Sequence, residues 1–194
     1  DAWWCIKREW VNPAAVNLKK FTAPEDASNW LNDGKILIHP SEGIWGIGCA
    51  AFNKDAVEKI SRLKQRSQAK TFILLASTSL QAINYFDSIS SQQQNYLNKV
   101  WPGHVTVIMN ANDKIPGYLK AIDGSIAVRV SDYYHIYKLL DCFGGLMVST
   151  SANISNFPTP ANLDEIIKIF SDSDIAVYAH DNGGAKKSST IIDI

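Results

Sequence analysis

With 194 residues, of which 46% are hydrophobic and 20% charged, the chain has the composition of an ordinary globular protein and the length for one well-buried core. Its 19 Lys plus Arg balance 19 Asp plus Glu, which excludes the uniform basic field that would by itself mark a nucleic-acid binder. Cys5, Cys49 and Cys142 are odd in number and form no C-x-x-C pair, which argues against a disulfide framework or zinc site and for a reducing, cytoplasmic setting.

No apolar run approaches the roughly 18 residues of a membrane span, and the opening DAWWCIKREW lacks the apolar region of a secretion signal. Residues 1–21 read as an N-terminal extension of a single domain that takes in the whole of 1–194. Thr22 with Glu25 makes a capping-box pattern, Pro24 suits a first turn and Gly34 is a natural stop, so residues 24–33 are expected to be helical. A strand follows at Ile36 to His39. Asn53 can cap a second helix whose stripe is Ala56, Val57, Ile60 and Leu63, ending in the basic Leu63-Lys64-Gln65-Arg66. Further strands are expected at Thr71 to Ala76, Val105 to Met109 and Ile126 to Val130, the last two joined by a loop bearing Pro, Gly and Asp. A third helix runs from near Asp132 to Gly144-Gly145, and strands at Leu146 to Thr150, Ile175 to Tyr178 and Thr190 to Ile194 complete the chain. Strands alternate with helices, but not strictly, which predicts an α/β domain with a twisted mixed parallel and antiparallel sheet flanked by helices. No internal repeat or low-complexity tract divides the chain.

Four segments carry candidate chemistry. Gly46-x-Gly48-x-x-Ala51 matches a dinucleotide fingerprint in letters, but six residues separate His39 from Gly46 and Ser67, Gln68 and Lys70 stand where a ribose-binding acid belongs. That leaves either a ligand cradle or a Gly-rich connection packed by Trp45. Lys64 to Lys70 places three cations in seven residues, suited to a solvated helix end or to a polyphosphate held by a planar Arg fork and point-charged Lys. Arg129 ends an apolar strand, where a buried cation needs either an acid such as Asp132 or an anionic ligand. Val148 to Ser155 sets a run of hydroxyls and an amide directly after a strand; such residues make turns, and they also approach phosphate, ribose or an amino acid closely.

Taken in order, Pro40-Ser41-Glu42-Gly43-Ile44-Trp45-Gly46-Ile47-Gly48, Lys64-Gln65-Arg66, Trp101-Pro102-Gly103-His104-Val105-Thr106, Ala127-Val128-Arg129, Ser151-Ala152-Asn153-Ile154-Ser155 and Ser189-Thr190-Ile191-Ile192-Asp193 resemble the motif series of the threonylcarbamoyl-AMP synthase family, TsaC/YrdC-type, in its short form. The resemblance implies a YrdC-like domain with a concave basic groove. It also implies a nucleotidyltransferase that makes threonylcarbamoyl-adenylate and pyrophosphate from L-threonine, bicarbonate and ATP, with Mg²⁺ carried in by ATP, and serves a downstream tRNA-threonylcarbamoyl transferase complex. By the same resemblance Lys64 and Arg66 act on the phosphates, and Arg66, Lys70, Ser125 and Asn153 line the ATP site. Ser41, Arg129, Ser151 and Ser189 line the threonine site, and no residue is expected to hold a metal directly. Trp101-Pro102-Gly103 is expected to be a structural turn anchored by a buried ring. Three positions depart from the family pattern: Ser41 stands for Thr, Ser67 for Pro and Asn156 for Gly, the last tolerable in a left-handed conformation. The family pattern also continues past S-T-I-x-D to an Arg facing ATP. A rival expectation is an RNA-binding module, for tRNA or double-stranded RNA, using Lys64, Arg66, Lys70, Arg129 and Lys187. Its affinity would fall steeply with salt.

Overall fold

A computed structural model describes residues 18–66, 71–160, 162–185 and 187–194. Among the described residues the strands are β1 Lys19–Phe21, β2 Ile36–His39, β3 Gly46–Ala50, β4 Ile73–Ala76, β5 Val105–Asn110, β6 Ser125–Val130, β7 Met147–Ser151, β8 Ile175–Tyr178 and β9 Thr190–Asp193. They form one sheet in the order β1-β8-β2-β3-β7-β4-β6-β5-β9. Parallel neighbours (β4 with β6, β2 with β8) alternate with antiparallel ones (β3 with β7, β5 with β6), so the sheet is mixed, as expected. The helices are α1 Pro24–Asn32, α2 Lys54–Leu63, α3 Ser79–Ile83, α4 Ser91–Val100, α5 Tyr134–Phe143 and α6 Leu163–Ile169.

Two apolar clusters show how the sheet is covered. On one face α1 and α5 bury Leu31, Ile136, Leu139 and Leu140 against Leu37, Leu75, Met147 and Ala176. On the other, Ala56, Val57 and Ile60 of α2, Leu97 of α4 and Ile166 of α6 pack against Ile38, Ile47, Leu74, Val128 and Val148. Side chains alternate along a strand. In β6, therefore, Ile126, Val128 and Val130 enter the second cluster while Ser125, Ala127 and Arg129 turn to the α1/α5 face.

Several local expectations change. Helix α1 starts one residue later than a Thr22 cap would place it: its N-cap is Ala23, without a side-chain bond, and Pro24 opens the helix. Thr22 O instead accepts a hydrogen bond from His180 Nε2 at 2.9 Å. Helix α5 begins at Tyr134 rather than near Asp132 and stops at Gly144, φ +72°. Asn53 does cap α2, its side chain accepting from the Ala56 N–H. Helix α4, S-Q-Q-Q-N-Y-L-N-K-V, has only Leu97 buried, so it lacks an apolar stripe and forms under a Ser90/Gln93 capping box. Lys19–Phe21, within the expected extension, pair in parallel with β8 and lengthen the sheet. The Gly46–Gly48 stretch is no turn: it is β3, an interior strand between β2 and β7. Trp101 is buried as expected, its indole N–H donating to Val105 O at 2.9 Å.

Candidate active site

A cavity of about 300 Å³ opens on the α1/α5 face beyond the reach of those helices. Ser41, Arg66, Arg129, Ser151 and Ser189 all line it, brought together from five segments far apart in the chain. These are the whole expected threonine set and the expected phosphate-binding arginine. Ile44, Ile73 and Ile191 add apolar wall; Ser149, Thr150, His104 and Ser188 add polar wall.

Each lining residue has a structural reason for its place. Ser41 follows β2, donates its hydroxyl to Ile44 O at 2.6 Å and accepts the Gly43 and Ile44 N–H groups at 3.3 Å, which shapes the loop before β3. The segment before β9 lies across that loop: Gly183 N–H donates to Ser41 O and Ala185 N–H to Glu42 O, both at 2.8 Å. A Cβ on Gly43 would meet Lys187 O at 1.9 Å, so a side chain there would force the two apart. This clamp delivers Ser188 and Ser189 to the cavity, where Ser189 Oγ lies 2.8 Å from Thr106 Oγ1. Arg66 leaves the end of α2, donates to Thr150 Oγ1 at 3.2 Å and Thr71 O at 2.5 Å, and places its guanidinium 4.7 Å from the Phe72 ring centroid. Arg66 and Thr71 also line an adjoining groove of about 660 Å³ with Arg62, Tyr118 and Lys120.

Arg129 is buried, and its partner is Glu42 rather than the expected Asp132: Nη2 lies 3.3 Å from Glu42 Oε2. Glu42 Oε1 accepts the Ser131 hydroxyl at 2.7 Å. Burial draws the Arg129 pKa down and Glu42, then Asp132, push it back up. Arg129 lines the cavity, and its Nε is buried with no hydrogen-bond partner.

Three expected site residues sit elsewhere. Lys64 is 1% exposed and stands behind the cavity: its ammonium donates to Ser151 O, to Asn153 O at 2.6 Å and to Asn153 Oδ1 at 3.3 Å. Burial, then the Arg66 charge, lowers its pKa to about 8. Asn153 is equally committed, accepting the Ser151 hydroxyl at 2.6 Å and donating to Phe157 O at 2.6 Å. Ser125 shares the face of Arg129 but starts the strand four residues earlier, with its hydroxyl on Asp123 Oδ1 at 2.7 Å. Lys70 and Ser67 lie outside the described residues, as does Lys186. Asn156 takes φ +68°, the left-handed conformation its position suggested. The sequence reading passed over Glu42 and His39 as site residues. Glu42 stood in the quoted motif but nothing marked it as the mate of Arg129, and His39 read only as a strand end.

The comparisons with known proteins agree with this fold. The Sua5/YciO/YrdC family model, described as "Telomere recombination", matches residues 29–194. A Vibrio parahaemolyticus protein named threonylcarbamoyl-AMP synthase is 35% identical over 171 residues, covering 87% of this chain and 92% of that protein. A Buchnera aphidicola protein of the same name is 37% identical over 166 residues, covering 84% of this chain and 87% of that one. The structure of P. abyssi Sua5 complexed with L-threonine shares the fold, with a TM-score of 0.78 at 22% identity, over 88% of this chain and half of that longer one. With ordered motifs, a mixed sheet and a serine-and-arginine cavity where those motifs converge, the chain belongs to the Sua5/YciO/YrdC family.

Proposed function

We propose that the chain is a threonylcarbamoyl-AMP synthase, a nucleotidyltransferase that joins L-threonine, bicarbonate and ATP into threonylcarbamoyl-adenylate and pyrophosphate for threonylcarbamoyladenosine modification of tRNA. The observation that carries this reading is the convergence of Ser41, Arg129, Ser151 and Ser189 with Arg66 on one cavity. The relatives' names support it independently.

The chemistry asks for position and charge rather than for a strong acid or base. Threonine's amine condenses with bicarbonate to a carbamate with loss of water. The carbamate oxygen then attacks the α-phosphorus of ATP in line, and pyrophosphate leaves. In this reading the guanidinium of Arg129 receives the threonine carboxylate, and Ser41, Ser151 and Ser189 receive its remaining polar groups. Arg66 faces the phosphates where the cavity meets the adjoining groove, whose Arg62 and Lys120 extend the basic wall along which the nucleotide lies, together with Lys70. Ser125 and Asn153 join the nucleotide site by exchanging their present partners for ligand. Lys64 acts through the Ser151–Asn153 loop that it clasps, as well as by its charge. Mg²⁺ arrives with ATP and stays on its phosphates; among the described residues no group of three or more His, Cys, Asp or Glu could hold a metal ion. Among the same residues no helix is long and apolar enough to cross a membrane, and we place the enzyme in the cytoplasm, passing its product to a tRNA-threonylcarbamoyl transferase complex. An RNA groove fits less well, since Lys64 and Arg129 are buried and engaged internally.

The test is pyrophosphate release from ATP, bicarbonate and Mg²⁺ with and without L-threonine. Threonine-dependent release, reduced at least about a hundredfold by Arg66→Ala, is expected from loss of a phosphate-binding cation. Release indifferent to threonine, or an Arg66→Ala variant at the wild-type rate, would overturn the assignment.

A further inference from the structure

The pair of glycines in β3 and the histidine at the end of β2 have no part in the mechanism above, yet they pack together behind the cavity wall that Gly46 and Ser149 line. His39 is fully buried. Its Nδ1 lies 2.9 Å from Pro40 O, and a carbonyl oxygen only accepts, so the ring proton sits on Nδ1. Burial, the larger influence, lowers the His39 pKa to about 4, so the imidazole is neutral and Nε2 carries no proton. Nε2 lies 3.2 Å from Ser149 Oγ. A bare ring nitrogen only accepts as well, and the Ser149 proton must therefore point at it. The oxygen of Ser149, which lines the cavity, is left with lone pairs and nothing to donate.

The seat for this ring is made by the glycines. A Cβ on Gly46 would lie 2.4 Å from His39 Cε1 and 2.6 Å from Nε2, and one on Gly48 would lie 3.4 Å from Nε2 and 2.2 Å from Val148 O. The G-x-G pattern is thus neither a phosphate cradle nor a turn: Gly46 clears space in an interior strand for an imidazole, and Gly48 admits the close approach of Val148 O.

We propose that His39 is a positioning residue that fixes Ser149 as a hydrogen-bond acceptor for an N–H or O–H group of the bound substrate. Resting on the synthase reading, that group is the amine or the side-chain hydroxyl of threonine. The cavity is then polarised: the Arg129 guanidinium is a cation for a carboxylate, and Ser149 refuses a carboxylate or phosphate oxygen and takes a donor. This arrangement selects an amino acid in one orientation.

Two measurements test it. Long-range ¹⁵N–¹H spectra of the wild-type protein should show His39 as the Nδ1–H tautomer, unchanged from pH 5.5 to 8. An Nε2–H tautomer, or titration within that range, would overturn the proposal whether or not the protein makes the adenylate. The second measurement is threonine affinity by calorimetry in a double-mutant cycle. His39→Leu should weaken binding about fivefold in the wild-type background and less than about twofold in Ser149→Ala, because the lost bond runs through that hydroxyl. Equal losses in both backgrounds would make His39 a packing residue only. L-2-aminobutyrate, which lacks the hydroxyl, separates the two donors: if Ser149 takes the hydroxyl, Ser149→Ala abolishes the preference for threonine over this analogue, and if it takes the amine, both weaken alike. A Ser149→Ala variant that binds both as tightly as wild type would overturn the acceptor role. Should wild-type protein bind no threonine, the synthase reading fails and the tautomer spectrum alone decides the His39–Ser149 relation.

Discussion

Replacing Glu42 with Ala would leave the guanidinium of Arg129 buried without its ion-pair partner. The two side chains are 10% and 7% exposed and their charged atoms lie 3.3 Å apart. At that separation and an effective dielectric of about 20, the attraction is about 5 kcal/mol. Part of it offsets the cost of drying both charges, and truncating one partner of such a pair typically costs about 3–5 kcal/mol, because the other remains buried and uncompensated. Against a total stability of about 5–15 kcal/mol this is a large fraction. For a domain of this size it corresponds to a fall in Tm of roughly 6–20 °C. Urea unfolding followed by circular dichroism gives the energy, and thermal scans give the midpoint. The second half of the reasoning is tested by Glu42→Ala/Arg129→Met, in which both charges are gone and an apolar chain fills the space of the guanidinium stem. That variant should recover most of the lost stability while its threonine-dependent turnover stays abolished. The argument fails if Glu42→Ala costs less than about 1 kcal/mol, or if the double variant is no more stable than the single one.

Gly46→Ala should cost about 1–3 kcal/mol in urea unfolding, because its methyl must displace the His39 ring from 2.4 Å, and a midpoint equal to wild type would show that the ring has room to move. Lys64→Met strips donors from Ser151 O and Asn153 O behind the cavity and should cost about 1–3 kcal/mol, with a matching loss of threonine-dependent turnover. An unchanged unfolding midpoint would remove Lys64 from its clasp role. The His39 pKa, moved by burial from the ordinary 6.5 to about 4, makes stability pH-dependent. Between those values the unfolded chain takes up a proton that the folded chain refuses. The contribution is therefore fully present above pH 6.5 and declines by about 3 kcal/mol as the pH falls to 4. Unfolding series at pH 7 and 4.5 should show this slope reduced in His39→Leu relative to wild type, and equal slopes would place the acid sensitivity on other groups.

The elements legible in the sequence were those whose own residues carry the signal. Runs such as Ile36-Leu37-Ile38 and Ile126-Ala127-Val128 are apolar and rich in β-branched residues because the sheet is covered on both faces there, so they read as strands without context. Strand β3 has two glycines in five residues, one clearing space for a side chain on β2 and one for a backbone carbonyl of β7, and its own propensity points away from a strand. Helix α4 shows the same limit from the other side, since it buries one residue and its polar surface erases the period that would reveal it. In the site, Ser41, Arg129, Ser151 and Ser189 were reached through the order of their motifs, and the fold brings them together. The roles of Lys64 and Asn153 were less legible, because several of their partners are backbone carbonyls, which no side-chain pattern encodes. His39 and Ser149 are 110 positions apart, and their pairing exists only once β2, β3 and β7 lie side by side.

The place of the cavity follows from the same alternation that builds the core. On the α1/α5 face Leu37, Leu75 and Met147 lie under the helices and are apolar. Two residues along the same strands, on the same face, stand His39, Ile73 and Ser149, beyond the helices and at or behind the cavity wall. In β2 and β7 this face changes from apolar to polar without a break in the strand, which marks where the helical cover ends. On the opposite face Ile38, Ile47, Leu74, Val128 and Val148 remain apolar within the second cluster, and β7 turns polar only at Thr150, at the cavity. A rigid sheet whose helical cover stops short at the cavity thus supplies both the stability and the fixed geometry of the site. The segments that close the cavity, 41–44 on one side and 182–185 with 187–189 on the other, are tied to each other by backbone hydrogen bonds from Gly183 and Ala185. Substitutions that loosen this clamp, such as Gly43→Ala against Lys187 O, should therefore displace Ser41 and Ser189 together while leaving Arg129 and Ser149 in place on the sheet. The expected signature is a raised KM for threonine with little change in unfolding midpoint, and a loss of stability as large as that of Glu42→Ala would show that clamp and sheet are one cooperative unit rather than two.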